Sequence, residues 1–212
     1  MAAQNANAST TSLVTSGCSS GCTTPPFALI TLTQDIDLVS VDVTIALGSD
    51  SNGAYHFHKA SDPNHFAFGF DLSGNPTVTF SNLTAGFTAA GTEPGSYSAA
   101  PFGTFDYALK CTGCGSGYGG GLVGPLSFTI TPTSGSITPA SFITNSSGHL
   151  FTVDIVDFNG NSGNVSDAAA VTPEPSTMLL VGASLLALAG IGSRFRLRPG
   201  SPRRQPVNYI VA

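Results

Sequence analysis

Positive charge is almost missing from most of this chain. Before Thr172 the basic residues are Lys59 and Lys110 alone, against eleven acidic ones, a net of −9. A surface that grips a phosphate backbone needs lysine and arginine, so nucleic acid is excluded as a partner. Tryptophan is absent, and charged residues make up only 9% of the chain. Glutamate occurs twice, at Glu93 and Glu174, too sparsely for the paired carboxylates of glycoside hydrolysis. There is no nucleophile elbow and no metalloprotease helix. The glycine run at residues 115–121 lacks the Gly-Lys-Ser/Thr that would cradle phosphate. These absences lead to the expectation of a protein that is not an enzyme and that needs no cofactor or metal.

What is present is strand chemistry. Gly, Ser, Thr, Asn and Pro are abundant between short segments rich in Val, Ile and Phe, a composition of β-structure and turns rather than of charge-driven disorder. Period-2 alternation is the clearest local signal. It places Val39, Val41, Val43, Ile45 and Leu47 on one face, and Phe66, Phe68 and Phe70 on another. It does the same for Phe105, Tyr107 and Leu109, for Leu126, Phe128 and Ile130, and for Phe151, Val153 and Ile155. Weaker strands are expected at residues 27–33, 77–80 and 164–167, and a helical turn near 138–143. One apolar and one polar face per strand fits two packed sheets. The expected fold is an all-β, jelly-roll-like β-sandwich ectodomain over residues 27–166. A flexible segment, 1–26, precedes it and a short stalk, 167–172, follows.

The last forty residues have a different character. Pro173-Glu174-Pro175-Ser176 leads into an uncharged run from Met178 to Ile191, carried by Met178, Leu179, Leu180, Leu185, Leu186, Leu188 and Ile191. Free of proline and rich in Leu and Ala, the run reads as one transmembrane α-helix over about residues 177–193. Its apolar part spans roughly 21 Å, and residues 177–195 about 28 Å, marginal for a hydrocarbon core of about 30 Å. Arg194, Arg196 and Arg198 follow as a positive stop, with Arg203 and Arg204 in a basic tail over 199–212 expected to be disordered. Positive charge beside a hydrophobic helix stays in the cytoplasm, which puts the bulk of the chain on the outer side. Residues 1–12 contain neither a basic n-region nor an apolar h-region. Export therefore calls for a signal upstream of Met1.

The order Pro173-Glu174-Pro175, short apolar helix, arginine cluster resembles the PEP-CTERM protein-sorting domain over residues 173–198. The resemblance implies a bacterial cell-envelope protein whose tail is processed by exosortase, a membrane enzyme. It also implies a single-pass anchor with the ectodomain outside, release to the cell surface after processing, and extracellular polysaccharide as a partner.

Several side-chain groups invite chemistry. Cys18, Cys22, Cys111 and Cys114 allow three disulfide pairings, and as a set they match a Cys₄ zinc site; outside the cytoplasm disulfides are expected. His56, His58 and His65 suggest a metal site, although no glutamate follows at the spacing a cupin requires; a histidine-bearing hairpin is the plainer reading. The loop at residues 157–164 offers oxygens at alternate positions but lacks the glycine and terminal glutamate of an EF-hand, and reads as a hairpin turn. Tyr55, Tyr97 and Tyr118 are candidates for stacking on a sugar in a carbohydrate-binding module, the alternative to a structural or adhesive role.

Overall fold

Alternating apolar residues can be buried only if their strands pair, and the chain pairs nearly all of them. The computed structural model describes residues 7–58 and 66–169. It begins with β1 (Ala8–Leu13), β2 (Thr15–Ser16), β3 (Ala28–Gln34) and β4 (Val41–Leu47). Three short strands come next, β5 (Ser49–Asp50), β6 (Gly53–Ala54) and β7 (His56–Phe57). Then follow β8 (Phe68–Leu72), β9 (Val78–Ser81), β10 (Phe87–Ala89), β11 (Tyr97–Ser98), β12 (Thr104–Phe105) and β13 (Tyr107–Cys111). The series closes with β14 (Leu126–Pro132), β15 (Phe142–Ile143), β16 (Phe151–Val156) and β17 (Ser162–Ser166).

Two antiparallel sheets dominate. One runs β1-β3-β4-β14-β9; the other runs β10-β13-β8-β16-β17-β2, with β15 and β7 attached to β8 and β16. A single core joins them. Ile30, Val41, Val43, Ile45, Leu126, Phe128 and Ile130 face Phe68, Phe70, Leu109, Phe151, Val153 and Ile155 in one buried cluster. Phe68 packs against Phe128 of the facing sheet at 5.9 Å between ring centroids, and Phe70 against Phe80 at 6.4 Å. The expected all-β architecture of packed antiparallel sheets is therefore present. The jelly-roll detail gives way to this order: β3 and β4 pair as consecutive strands of one sheet, and the other sheet has more strands than the four of a jelly-roll half.

Three expectations change in detail. Val39 precedes the strand, because residues 35–40 form a turn in which Leu38 takes a left-handed φ of 57° and Asp37 Oδ1 accepts the N–H groups of Val39 and Ser40. Phe66 and Phe105 leave the faces that alternation gave them. With Ala99 and Ala108 they form a second small core on the opposite side of β8 and β13. Residues 8–26, expected to be flexible, are ordered: β1 pairs with β3, while β2 pairs with β17 in the other sheet. One short segment thus contributes to both sheets, with Leu13 fully buried at the switch. The sequence Ala-Ser-Thr-Thr-Ser-Leu shows no apolar alternation, which is why the strand was illegible.

The second core covers the outer face of β8, which is buried along its whole length, as is β16 beside it. Gly69 sits where the layers meet; a Cβ there would come within 2.7 Å of the Phe66 ring and 3.0 Å of Thr152 Cγ2. Two one-turn 3₁₀ segments, Tyr118–Gly120 and Pro139–Ser141, complete the elements; the second answers the turn expected near 138–143. No helix among the described residues is long and apolar enough to cross a membrane. The apolar run from Met178 to Ile191, the arginines Arg194, Arg196 and Arg198, and the tail after them lie outside the described residues.

Phe68 touches three rings and is fully buried. Phe68→Ala is expected to lower stability by about 3–5 kcal/mol, read from the chemical-denaturation midpoint; a loss below about 1 kcal/mol would contradict its central role. A second expectation concerns Asp71, on the outer face of β8. Burial pushes its carboxyl up to about 6; the hydrogen bond from the Asp106 N–H opposes this and the Asp106 carboxylate adds to it. A folded-state value above the ordinary 3.8 stabilises the fold fully below about pH 4, and that contribution is lost as pH rises through 6. Asp71→Asn removes the ionisation, so the variant should gain on the wild type by on the order of 1 kcal/mol between pH 4 and 7. Parallel stability–pH curves for the two proteins would refute this account.

Candidate functional site

Three loops and one short strand bring aromatic rings together at the surface. The β5–β6 hairpin turns tightly because Asp50 Oδ1 accepts the N–H groups of Asn52, at 2.7 Å, and Gly53, at 3.1 Å. Gly53 has a φ of 153°, and a Cβ there would lie 3.0 Å from Tyr118 Oη. The strand after it, β7, presents His56. The glycine run begins just beyond the Cys111–Cys114 disulfide and folds back on β7. Phe57 N–H donates to the Leu122 carbonyl at 2.8 Å, and Leu122 N–H returns a bond to the Phe57 carbonyl at 3.2 Å. Gly121 passes so close to His56 that a Cβ would approach the histidine Cβ to 2.6 Å. Only glycine permits that approach.

The loop sets the Tyr118 ring flat on the His56 ring, centroids 4.0 Å apart and 17° between planes. His56 Nδ1–H donates to the Tyr118 carbonyl at 2.9 Å, which fixes the tautomer. From the turn between β16 and β17, Phe158 meets Tyr118 at 5.2 Å and 70°. Phe158 is 56% exposed, an unusual position for so large an apolar side chain at a turn. Its turn is tied by its own polar groups. Asp157 Oδ1 and Oδ2 accept the Asn161 backbone and side-chain N–H groups, both at 2.8 Å, and Gly160 N–H donates to the Asp157 carbonyl at 3.0 Å. Both carboxylate oxygens serve the turn, so the loop is the hairpin connection that its sequence suggested.

The residues singled out in the sequence are distributed unevenly around this cluster. Cys18 bonds Cys22 and Cys111 bonds Cys114, each closing a local loop. That settles the three pairings and removes the Cys₄ zinc alternative. Tyr55 is no surface platform: it is fully buried, and its hydroxyl donates to the Thr24 carbonyl at 3.1 Å and accepts the Thr24 N–H at 3.3 Å. Tyr97 packs edge-on to Phe66 over the second core. Of the three tyrosines, Tyr118, half-buried like Tyr97, is the one that touches the exposed Phe158, and Phe158 was missed because a lone Phe in a turn has no periodic signal. His56 is held by Tyr118, while His58 Nδ1 lies 3.8 Å from Asp154 Oδ2; His65 lies outside the described residues. Among the described residues no three His, Cys, Asp or Glu side chains converge as metal ligands would.

A serine, a histidine and an aspartate also meet near the end of β17, and their geometry argues against nucleophilic chemistry. His149 Nδ1–H donates to the Asp167 carbonyl at 3.1 Å and lies 2.9 Å from Ser166 Oγ. Ser166 Oγ–H donates to the Phe151 carbonyl at 2.7 Å. The histidine nitrogen facing the serine therefore already carries a proton and cannot take another. Ser166 is also fully buried. The Asp167 carboxylate accepts from the backbone N–H groups of Leu150 and Phe151, and the group serves as a clasp. It holds Asp167, expected at the start of the stalk, firmly to β16.

Pro173, Glu174 and Pro175 lie outside the described residues, and for them the sequence itself is the observation. The PEP-CTERM protein-sorting motif matches residues 171–196, within two residues of the segment picked out by the proline-glutamate-proline order and the arginine cluster. Comparison with curated proteins finds no match, and comparison with solved structures finds none.

The clasp generates a stability expectation. Ser166→Ala leaves the Phe151 carbonyl without its donor inside the fold, and should cost about 1–3 kcal/mol in thermal or denaturant unfolding. Wild-type stability in that variant would show that the hydroxyl is not structural.

Proposed function

Because the chain carries a PEP-CTERM sorting signal, we propose that it is an exported substrate of an exosortase-type membrane enzyme. Pro173, Glu174 and Pro175 form the recognition element. The helix built on Met178, Leu179, Leu180, Leu185, Leu186, Leu188 and Ile191 holds the protein in the membrane as a single pass. Arg194, Arg196 and Arg198 keep that helix from passing further, with the β-domain outside the cytoplasm and released to the cell surface after processing. The ectodomain is not an enzyme in this reading; it has a structural or adhesive role in the envelope or matrix, with extracellular polysaccharide as its partner.

The observation that carries the reading is the motif match at residues 171–196. The ectodomain is consistent with it in three ways. Two disulfides suit an oxidising compartment. Surface lysine is nearly absent. The group that a nucleophilic enzyme would need is locked as a buried clasp. A second reading, a carbohydrate-binding module, draws on one specific observation, the exposed Phe158 ring in contact with Tyr118.

Deletion of residues 173–175 tests the sorting reading. In a host with the processing enzyme, the deleted protein should accumulate at full length in the inner membrane while the wild type matures to a shorter form. Identical maturation of the two would overturn the assignment.

A further inference from the structure

The sorting signal accounts for the end of the chain and leaves the surface cluster of His56, Tyr118 and Phe158 without a role. Large aromatic side chains normally go to the core, and among the described residues most of them do. Phe158 does not, and the loop beside it is shaped to hold Tyr118 in place. We propose that this cluster is a binding subsite for a neutral glycan, with a pyranose ring laid against the exposed Phe158 ring beside Tyr118 and its hydroxyls met by polar groups of the flanking turns. The proposal deepens the carbohydrate-binding reading above and rests on it, not on the sorting signal.

Four features favour this occupant. Phe158 is a flat apolar ring with few rotatable bonds, and the neighbouring Tyr118 adds a hydroxyl to the group. Exposed amide side chains stand in both adjoining turns, Asn52 in the β5–β6 hairpin and Asn159 beside Phe158, giving the donors and acceptors that orient a polyol. The site is preorganised. The Cys111–Cys114 disulfide, the paired bonds between Phe57 and Leu122, and the stacked His56 ring all hold the loop before a ligand arrives, which reduces the ordering cost of binding.

The fourth feature is charge. Asp50 and Asp157 flank the site, and both act to raise the pKa of the neighbouring Tyr55 hydroxyl, after burial itself. These two carboxylates, held in the flanking turns, oppose phosphates and polyuronates and leave a neutral sugar as the fitting ligand. Three side chains offer far less than the roughly 800 Å² per partner of a stable protein interface, which disfavours a second protein.

The test uses the full chain in mild detergent, titrated with a soluble neutral β-glucan, a neutral β-mannan and a polyuronate, and followed by calorimetry and tyrosine fluorescence. Saturable binding to a neutral polymer is expected, changing little between roughly 0.05 and 0.5 M salt. Phe158→Ala should weaken it about tenfold or more, with an unchanged far-ultraviolet circular dichroism spectrum because the side chain is mostly solvent-exposed. Tyr118→Phe keeps the ring and should retain binding within a few-fold. Leu38→Ala, at an exposed apolar residue in another turn, should have no effect. Absence of binding to both neutral polymers, binding to the polyuronate alone, or full affinity in Phe158→Ala would each overturn the proposal. None of these outcomes touches maturation of the tail, so the two readings fail separately.

Discussion

The rings of Phe68 and Phe70 stack on Phe151 and Tyr107 of the two flanking strands and reach Phe128 and Phe80 in the facing sheet. Without tryptophan, this row of phenylalanines supplies the bulk that separates and joins the sheets. Its register follows from strand pairing: Phe70 lies opposite both Tyr107 and Phe151, and Phe68 opposite Leu109 and Val153. A one-residue slip would exchange Phe68 and Phe70 for Gly69 and Asp71. The small size of Gly69 and the polarity of Asp71 belong to the other face, where the second core closes over β8. The fold depends on both contents of one strand, large rings inward and a glycine outward.

Several polar side chains buried beside this core bond to backbone groups. Gln34 Nε2 bridges the Ser40 and Ile137 carbonyls. Asn145 joins the Phe102 and Thr104 carbonyls and accepts the N–H groups of Ser147 and His149. Together with the Ser166 clasp they fix long connections that have little regular structure of their own. Loops fixed in this way can hold exposed side chains in set positions, and the cluster around Tyr118 is built from such loops. The two polar and aromatic groups differ in exposure: the Ser166 clasp is buried within the domain, whereas Phe158 of the aromatic group stands out from its turn.

Legibility varied with the physical origin of each feature. Val41, Val43 and Ile45, Leu126, Phe128 and Ile130, and Phe151, Val153 and Ile155 were found by alternation because each has one face on the main core. Phe66 and Phe105 were misassigned because their strands are buried on both faces, so apolar residues no longer mark a side. β1 was invisible because hydroxyl-bearing residues on an edge strand need no apolar period. Tyr55 was expected outside and is inside, since a tyrosine's exposure depends on whether a backbone partner such as Thr24 is within reach of its hydroxyl.

By itself the sequence determined the class of structure and the presence of a sorting signal. Charge scarcity, strand-forming composition and the Pro-Glu-Pro tail with its arginines are local properties, carried by residue type and order, and no folding is needed to express them. The disulfide partners, the second layer over β8 and the meeting of His56, Tyr118 and Phe158 were decided only in three dimensions. Each disulfide closes a local loop, but spacing alone left three pairings open. The three rings come from one short strand and two separate loops whose approach is set by strand pairing and by the space a glycine leaves, quantities that no local window of sequence contains.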